Sequence, residues 1–423
     1  MRIVIVAIGS RGDVQPYIAL GKGLLDAGHE VVLASHAEFS SLFNNMGFEF
    51  VSMKANLRDL LDQGAAKAMM ESGGNFILFF KSLTELLGPF LRTFVNETLA
   101  ASRGADLLIL SPLGGIGLHV SEKLKIPFCS AMLQPFTSTR SFENPLFPEY
   151  PSWIPFGRGF YNYESFYLFP LMYWQFGKRI TNEIRKEMGL PGLKTSDVIR
   201  AVANPDLDVL YGYSPSFIPV PPDWKPNNHV TGYWFLDSES KWNPSSELVD
   251  FIESGPSPVS IGFGSMKSRN PEEKTSIVIK ALEKARQRGI LLTGNDGLNA
   301  QDLPDFVFAI PSVPHDWLFP KVSAVVHHGG AGTTGAGLRF GKPTVTVPYL
   351  GDQPFWGRQV YKAGVGVKPI PGKSLSSERL ADAIKIVTSD TAMKRRADEL
   401  GAKIRAEDGV SKAVKVINQF LRK

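Results

Sequence analysis

Apolar runs alternate with helical patterns along the first third of the chain. Residues 2–8 (RIVIVAI) are a continuous apolar run, typical of a strand buried on both faces, and residues 15–28 show a helical pattern that ends at a glycine. A second apolar run at 30–35 and a second helical pattern at 37–47 repeat this order. Strands that alternate with helices at this spacing predict right-handed β/α/β units around a parallel sheet.

The alternation stops between residues 134 and 180, where prolines and a dense aromatic stretch, GFYNYESFYLFPLMYWQFG (159–177), take its place. Rings concentrated in this way either cover the sheet or form an apolar surface for a ligand or a membrane. The second interpretation predicts a pocket for an apolar acceptor. Its candidate side chains are Phe136, Phe166, Phe169, Tyr173 and Trp174.

A second α/β series follows a stretch rich in proline and polar residues, and we place the domain linker at 236–245. A strand that ends in glycines (VSIGFGS) opens this series, and further strands and helices follow it. The sequence therefore predicts an N-terminal domain at 1–235, a C-terminal domain at 246–407 and an amphipathic helix within 408–423.

Composition narrows the class of protein without deciding it. The chain has 423 residues, of which 43% are hydrophobic and 21% charged, as in ordinary globular domains. A single cysteine, no signal-peptide pattern and no apolar run near ~20 residues predict a cytoplasmic protein and leave peripheral membrane contact open. The formal charge of +5 favours an anionic partner or surface, and the absence of Lys/Arg runs argues against nucleic acid.

The strongest motif is AVVHHGGAGTTGAG (324–337), where a strand delivers two histidines, then glycines, then two threonines that open a helix. Parallel sheets bind ligands at the carboxyl ends of their strands, and free N–H groups at a helix start attract phosphate. A histidine and hydroxyls there add side-chain donors. The motif predicts a diphosphate site.

The same loop supports a rival prediction. GAGTTG (330–335) matches G-x-G-x-x-G, and Asp352 lies about 20 residues further on, where a dinucleotide-binding fold places its ribose-binding acid. That fingerprint usually leaves the first strand of its domain, whereas this one lies deep in the second half. An NAD(P)-dependent oxidoreductase therefore stays as an alternative.

Polar and charged residues also follow other predicted strands. Asp352 and Gln353, in YLGDQPFWGRQV, offer the acceptors and the amide donor that suit vicinal sugar hydroxyls. The turn SRGDVQP after the first strand holds Arg11 and Asp13 close together, which a turn alone does not require.

Five motifs carry a resemblance to a known family: GSRGDVQPYIALGKGL, IGFGS, VTGYWFLD, VPHDWLFP and HHGGAGTTGAGL. Together they resemble the UDP-glycosyltransferase superfamily, and most closely its sterol 3β-glucosyltransferase branch. The resemblance runs through both halves of the chain. It implies the GT-B fold, an α/β architecture of two Rossmann-like domains that face each other across a cleft. It also implies a C-terminal helix that packs back on the N-terminal domain.

The resemblance implies a UDP-sugar site. His328 and the residues that follow it would hold the diphosphate, Val313 would meet the uracil through its backbone, and Asp352 and Gln353 would hold the hexose. Ser10 and Arg11 would contact the same donor, and Ser265 would lie near the phosphates. The full set is Ser10, Arg11, Ser265, Val313, His328, Gly330, Gly332, Thr333, Thr334, Asp352 and Gln353.

The implied reaction is inverting transfer of glucose from UDP-glucose to a sterol or similar lipid hydroxyl. Asp13 stands where many members of the superfamily carry a histidine base, and capping of the first helix is its alternative role. His328 would stabilise the departing UDP. The resemblance to metal-independent members predicts no metal, and no cofactor is expected besides the donor. No motif in residues 60–200 matches the branch, so another hydrophobic aglycone (polyketide, terpenoid or flavonoid) stays open, as does a binding protein without catalysis.

Overall fold

The computed structural model describes most of the chain. Backbone and side chains are described for residues 1–43, 46–54, 89–111, 117–168, 170–200, 207–237, 242–264, 271–294 and 303–422, and the backbone alone for 76–88, 169 and 201–203. The chain divides into two compact units. Unit 1 comprises Met1–Tyr213, Val220–Phe235 and Gly409–Lys423, and unit 2 comprises Ser214–Pro219 and Leu236–Asp408.

Unit 1 is built on a seven-stranded parallel sheet with the order β3-β2-β1-β4-β5-β6-β7. Its strands are β1 (Arg2–Val6), β2 (Glu30–His36), β3 (Glu49–Met53), β4 (Leu107–Leu110), β5 (Phe128–Met132), β6 (Val209–Tyr211) and β7 (Asn228–Val230). Its first helices are α1 (Arg11–Asp26), α2 (Phe76–Ala101), α3 (Gly117–Leu124), α4 (Arg158–Glu187) and α5 (Thr195–Ala203). β1 lies inside the sheet between β2 and β4, and its residues Ile3–Val6 are fully buried, as the continuous apolar run predicts.

Unit 2 repeats the plan with five parallel strands in the order β10-β9-β8-β11-β12. They are β8 (Val259–Gly262), β9 (Gly289–Leu292), β10 (Val307–Ile310), β11 (Ala324–His327) and β12 (Thr344–Thr346). The helices are α6 (Ser246–Glu253), α7 (Pro271–Ala285), α8 (His315–Leu318), α9 (Ala331–Arg339), α10 (Gln353–Lys362), α11 (Ser377–Ser389) and α12 (Thr391–Arg405). The prediction of two parallel-sheet α/β halves is confirmed.

The last helix, α13 (Gly409–Phe420), belongs to unit 1, where it packs on α1. Gly23 of α1 lies against Val410 and Val414, and the imidazole Nε2 of His29 lies 2.7 Å from Oδ1 of Asn418. Because glycine has no Cβ, the two helices approach closely at this point. The predicted return of the C-terminal helix to the N-terminal domain is confirmed.

Two local predictions differ from the structure, and the structure also defines the aromatic stretch. The first helix begins at Arg11 rather than residue 15, because Ser10 caps it and Asp13 completes the cap. Residues 37–43 form a 3₁₀ helix instead of an α-helix that reaches residue 47. The aromatic stretch at 159–177 lies within one 30-residue helix, α4.

No helix among the residues that the structure describes is both long enough and apolar enough to cross a membrane.

Candidate active site

The glycine-rich loop of unit 2 joins β11 to α9. Gly330 caps the helix in an extended conformation, and the backbone N–H of Thr334 donates to its carbonyl oxygen at 2.9 Å. The N–H groups in the first turn of an α-helix have no acceptor within the helix, and the helix dipole makes this end electropositive. Gly332 and Thr333 are at least partly exposed here, whereas Thr334 is buried. The loop therefore presents backbone donors suited to an anion.

His328 lies between two glycines at the entrance to α9. A Cβ on Gly264 would lie 2.8 Å from its Cε1 atom, and a Cβ on Gly330 would lie 2.5 Å from its Nε2 atom. Burial lowers the pKa of His328 to about 4, so the imidazole is neutral at pH 7. Within the described parts of the chain its Nδ1 atom makes no hydrogen bond. His328 is thus a neutral side chain that lies close to two glycines, and a side chain on either glycine would displace its ring.

Asp352 and Gln353 hold the loop that follows β12. The side-chain Oε1 of Gln353 accepts hydrogen bonds from the backbone N–H groups of Tyr349 at 2.8 Å and Leu350 at 3.3 Å. The Oδ2 atom of Asp352 accepts from the indole N–H of Trp356 at 2.8 Å. Both predicted sugar-binding side chains therefore also shape the start of α10.

This loop lies directly against the glycine-rich loop. A Cβ on Gly329 would lie 2.9 Å from the carbonyl oxygen of Gln353, and Gly329 has a positive φ of 89°. Glycine is required on both counts, since a side chain would clash and would strain the backbone. The structure thus brings the predicted phosphate loop and the predicted sugar loop together within unit 2.

The remaining predicted site residues of unit 2 are Val313 and Ser265. Val313 is buried in an apolar cluster with Leu248 and Leu318, just before α8. Ser265 lies outside the described residues. No group of three or more His, Cys, Asp or Glu side chains in the described part of the chain is arranged to hold a metal ion.

The charged turn of unit 1 is a helix cap. The Oδ2 atom of Asp13 accepts from both the backbone N–H and the hydroxyl of Ser10, each at 2.8 Å. Gly9, with φ of 134°, leaves room for this carboxylate, because a Cβ there would lie 2.6 Å from Oδ2. Arg11 is exposed, and its Nε atom donates to Gln15 at 3.4 Å. Ser10 is therefore the N-cap, and Asp13 is its reciprocal partner three residues on.

The aromatic candidates divide between core and surface. Phe166 and Trp174 are buried on α4, and the indole of Trp174 donates to the hydroxyl of Thr195 at 3.0 Å, which ties α4 to α5. Phe136 and Tyr173 are half-buried, and burial raises the pKa of Tyr173 to about 12. The side chain of Phe169 lies outside the described residues.

Sequence patterns missed an exposed aromatic group, which we call the aromatic tip. Trp153, Phe156 and Phe160 are 81%, 79% and 64% exposed, the highest values among the large apolar side chains that the structure describes. They lie just before and at the start of α4. Trp153 and Phe156 lie in PSWIPF, whose prolines were the available signal, whereas Phe160 lies in the aromatic stretch at 159–177.

Known proteins resemble the chain along its whole length. Residues 3–143 match the glycosyltransferase family 28 N-terminal domain, and residues 287–418 match the C-terminal domain of erythromycin biosynthesis protein CIII-like proteins. Two sterol 3-beta-glucosyltransferases of Arabidopsis thaliana are 37% and 36% identical to it, each over 100% of this chain and over 66% and 68% of their own lengths.

The chain belongs to the sterol 3β-glucosyltransferase branch of the UDP-glycosyltransferase superfamily. Membership decides between the two interpretations of GAGTTG, since it identifies that motif as part of a glycosyltransferase rather than a dinucleotide fingerprint.

Other members of the family extend beyond the region they share with this chain. A sterol 3-beta-glucosyltransferase of Neosartorya fischeri is 37% identical over 100% of this chain, which spans 30% of that protein. The chain also spans slightly less than two thirds of the first Arabidopsis relative.

Solved glycosyltransferase structures share the GT-B fold of this chain. The kitacinnamycin glycotransferase matches with a TM-score of 0.72 and 19% identity, over 99% of both chains. The Streptomyces glycosyltransferase SsfS6, complexed with thymidine diphosphate, matches with a TM-score of 0.62 and 18% identity, over 99% of both chains.

Proposed function

We propose that this protein transfers glucose from UDP-glucose to the hydroxyl of a sterol or a similar hydrophobic alcohol, with inversion and without a metal ion. The observation that carries the proposal is the neutral His328 fixed beside the open N-terminus of α9. The names of the relatives, sterol 3-beta-glucosyltransferases at 36–37% identity, support the acceptor class. The thymidine diphosphate bound to SsfS6 supports a nucleoside diphosphate donor.

In the proposed reaction the acceptor oxygen attacks the anomeric carbon on the face opposite UDP. The bond from this carbon to the β-phosphate oxygen breaks, and UDP leaves with the electron pair. The N–H groups of α9 and His328 donate hydrogen bonds to the charge that develops on UDP, and Arg11 adds positive charge. An α-linked donor then yields a β-glucoside.

Asp13 is the proposed base that takes the proton of the acceptor hydroxyl. The two hydrogen bonds from Ser10 to Oδ2 fix the orientation of the carboxylate. A carboxylate has about four lone-pair positions, so the capping role and the base role are compatible. Proton transfer by a positioned side chain contributes about 10²- to 10⁴-fold to the rate.

A direct assay tests the function. The protein is incubated with UDP-glucose and a panel of sterols, phenols and terpenoid alcohols, and UDP release and glycoside are measured. Glycosides of sterols support the proposal. Glycosides formed only from the other alcohols would show a different aglycone, and no transfer to any acceptor would contradict the activity itself.

The variant Asp13→Asn tests the base. We expect it to keep the wild-type melting temperature within a few degrees and to bind UDP-glucose, while transfer falls at least about 10²-fold. Asp26→Asn is the matched control, because it removes the same charge from the exposed last turn of the same helix. Full activity in Asp13→Asn would sink the base assignment.

The aromatic tip supports a second part of the proposal, contact with a membrane surface. Trp and Phe side chains that project into solvent favour the boundary between lipid headgroups and acyl chains, and a sterol acceptor resides in the same layer. We expect the triple variant Trp153→Ser, Phe156→Ser, Phe160→Ser to sediment less with phosphatidylcholine–sterol vesicles. Its turnover of sterol dissolved in detergent should stay at the wild-type level.

Tyr361→Ser is the control, since Tyr361 is a 53% exposed aromatic residue of unit 2. Equal vesicle binding by the triple variant and the wild type would refute the contact.

A further inference from the structure

His327, the residue before His328, has a different environment. It ends β11, its side chain is 1% exposed, and its Nδ1 atom accepts a hydrogen bond from the backbone N–H of Gly329 at 2.9 Å. Its Nε2 atom makes no hydrogen bond to any residue that the structure describes. His327 therefore contacts the glycine-rich loop from the protein interior.

The hydrogen bond fixes the chemical form of the ring. A nitrogen that accepts a hydrogen bond carries no proton, so the proton of the neutral imidazole lies on Nε2. Burial is the main reason that the pKa of His327 lies well below its usual value, and repulsion from His328 and His315 in their protonated forms lowers it further. The acceptor at Nδ1 is thus present throughout the neutral range.

Gly329 depends on this acceptor. The residue is buried, has a φ of 89°, and lies against the carbonyl oxygen of Gln353. A buried N–H without an acceptor is unfavourable, because it has lost its hydrogen bonds to water, and this favours another turn conformation. Because His328 and Gly330 flank Gly329, a different turn would move both the imidazole and the start of α9.

A similar contact lies in unit 1, where the histidine belongs to a neighbouring strand and uses its other ring nitrogen. His36 ends β2 and is 1% exposed, and its Nε2 atom lies 3.3 Å from the backbone N–H of Gly9, which has a φ of 134°. In each unit, then, a buried imidazole at the end of a strand meets the N–H of a glycine in the left-handed half of conformational space. The two turns that carry the predicted chemistry share this support.

We propose that His327 is a positioning residue for the donor site: its Nδ1 atom holds the Gly329 turn and thereby sets the position of His328 and of the α9 N-terminus. The proposal rests on the proposed function only in naming UDP as the ligand.

Two substitutions distinguish an acceptor at the position of Nδ1 from one at the position of Nε2. In His327→Asn the side-chain oxygen can take the place of Nδ1 and accept from Gly329, whereas in His327→Gln the oxygen lies one bond further out, near the place of Nε2. We expect His327→Asn to bind UDP within about threefold of the wild type. We expect His327→Gln to bind it at least tenfold more weakly.

Thr346→Val is the matched control. Thr346 lies beside His327 in the sheet register and is fully buried, and its hydroxyl makes no hydrogen bond within the described residues. Valine has nearly the same shape, so this variant perturbs the same layer of the core without touching the loop. It should bind UDP as the wild type does.

The readouts are the UDP dissociation constant by calorimetry, the melting temperature, and hydrogen exchange of the Gly329 amide. The amide should stay protected in His327→Asn and lose protection in His327→Gln. Equal affinities and equal protection in these two variants, or losses of affinity that follow melting temperature in all three, overturn the proposal.

Two measurements still decide the role of His327 if UDP does not bind or if the variants do not fold. If the wild type fails to bind UDP, the proposed function is wrong, and exchange of the Gly329 amide alone decides the role of His327. If the His327 variants do not fold, ¹⁵N NMR of the wild-type imidazole decides, because a proton on Nδ1 contradicts the hydrogen bond and a bare Nδ1 supports it.

Discussion

Gly330→Ala is the sharpest test of the donor site, because it moves one side chain without straining the backbone. Gly330 has φ of −65° and ψ of 146°, which alanine adopts freely. Its new Cβ would lie 2.5 Å from Nε2 of His328, whereas unstrained contacts begin near 3.4 Å. The imidazole must therefore retreat by about 1 Å from its present position.

The expected effects differ for stability and for function. Alanine is a poorer helix N-cap than glycine, which lowers the free energy of unfolding by about 0.5–1 kcal/mol. A displacement of about 1 Å in a positioned group can cost about 10²-fold in rate. We therefore expect UDP affinity to fall about tenfold and glucosyl transfer about 10²-fold, with a small change in melting temperature.

Titration calorimetry with UDP, steady-state transfer kinetics and thermal unfolding measure these quantities. Gly337→Ala in the same helix is the control, because the nearest atom to its Cβ would be Oγ1 of Thr344 at an ordinary 3.7 Å. Alanine inside a helix is favoured over glycine by about 1 kcal/mol, so this variant should be more stable and bind UDP normally. Wild-type UDP affinity in Gly330→Ala would refute the assigned position of His328.

Three further predictions concern pH, packing and reactivity. Burial lowers the pKa of His119 and His328 from 6.5 to about 4, so their protonation favours the unfolded state as pH falls below 6.5. Each should lower the free energy of unfolding by about 2 kcal/mol at pH 5 relative to pH 7, measured by urea denaturation; equal stability at both values contradicts this. Gly23→Ala should push Val410 away and speed hydrogen exchange in α13, whereas unchanged exchange would show that the helices tolerate a Cβ. Burial raises the pKa of Cys129 to about 12, so a thiol reagent at pH 8 should modify it only after unfolding, and rapid labelling of the folded protein would be inconsistent with its burial.

Much of the fold was predictable, because its signals are local. An unbroken apolar run such as residues 2–8 can be buried on both faces only in the interior of a parallel sheet, and such runs recur at the spacing of β/α/β units. The phosphate loop was equally visible, since glycines and hydroxyls between a strand and a helix are contiguous in the sequence. The sequence by itself therefore determined the two sheets and the places where their strands end.

The start of α1 and the course of α4 were less predictable. The helical pattern predicted a start at residue 15, whereas the capping box formed by Ser10 and Asp13 starts the helix at Arg11. The aromatic residues of 159–177 hid the helical period of α4, because rings lie on its buried, half-buried and exposed faces alike. Side-chain capping geometry and tertiary burial decide both elements.

Only the tertiary structure decided the state of the site residues. His328 is neutral because Gly264 and Gly330, on different strand exits, enclose it, and His327 faces the interior although it is its neighbour in sequence. The sequence indicated that the amide of Gln353 contacts a sugar. In the structure its Oε1 accepts a hydrogen bond from the backbone of its own loop. A sequence pattern records which groups are present, but burial and hydrogen-bond partners depend on residues that the fold brings together from distant parts of the chain.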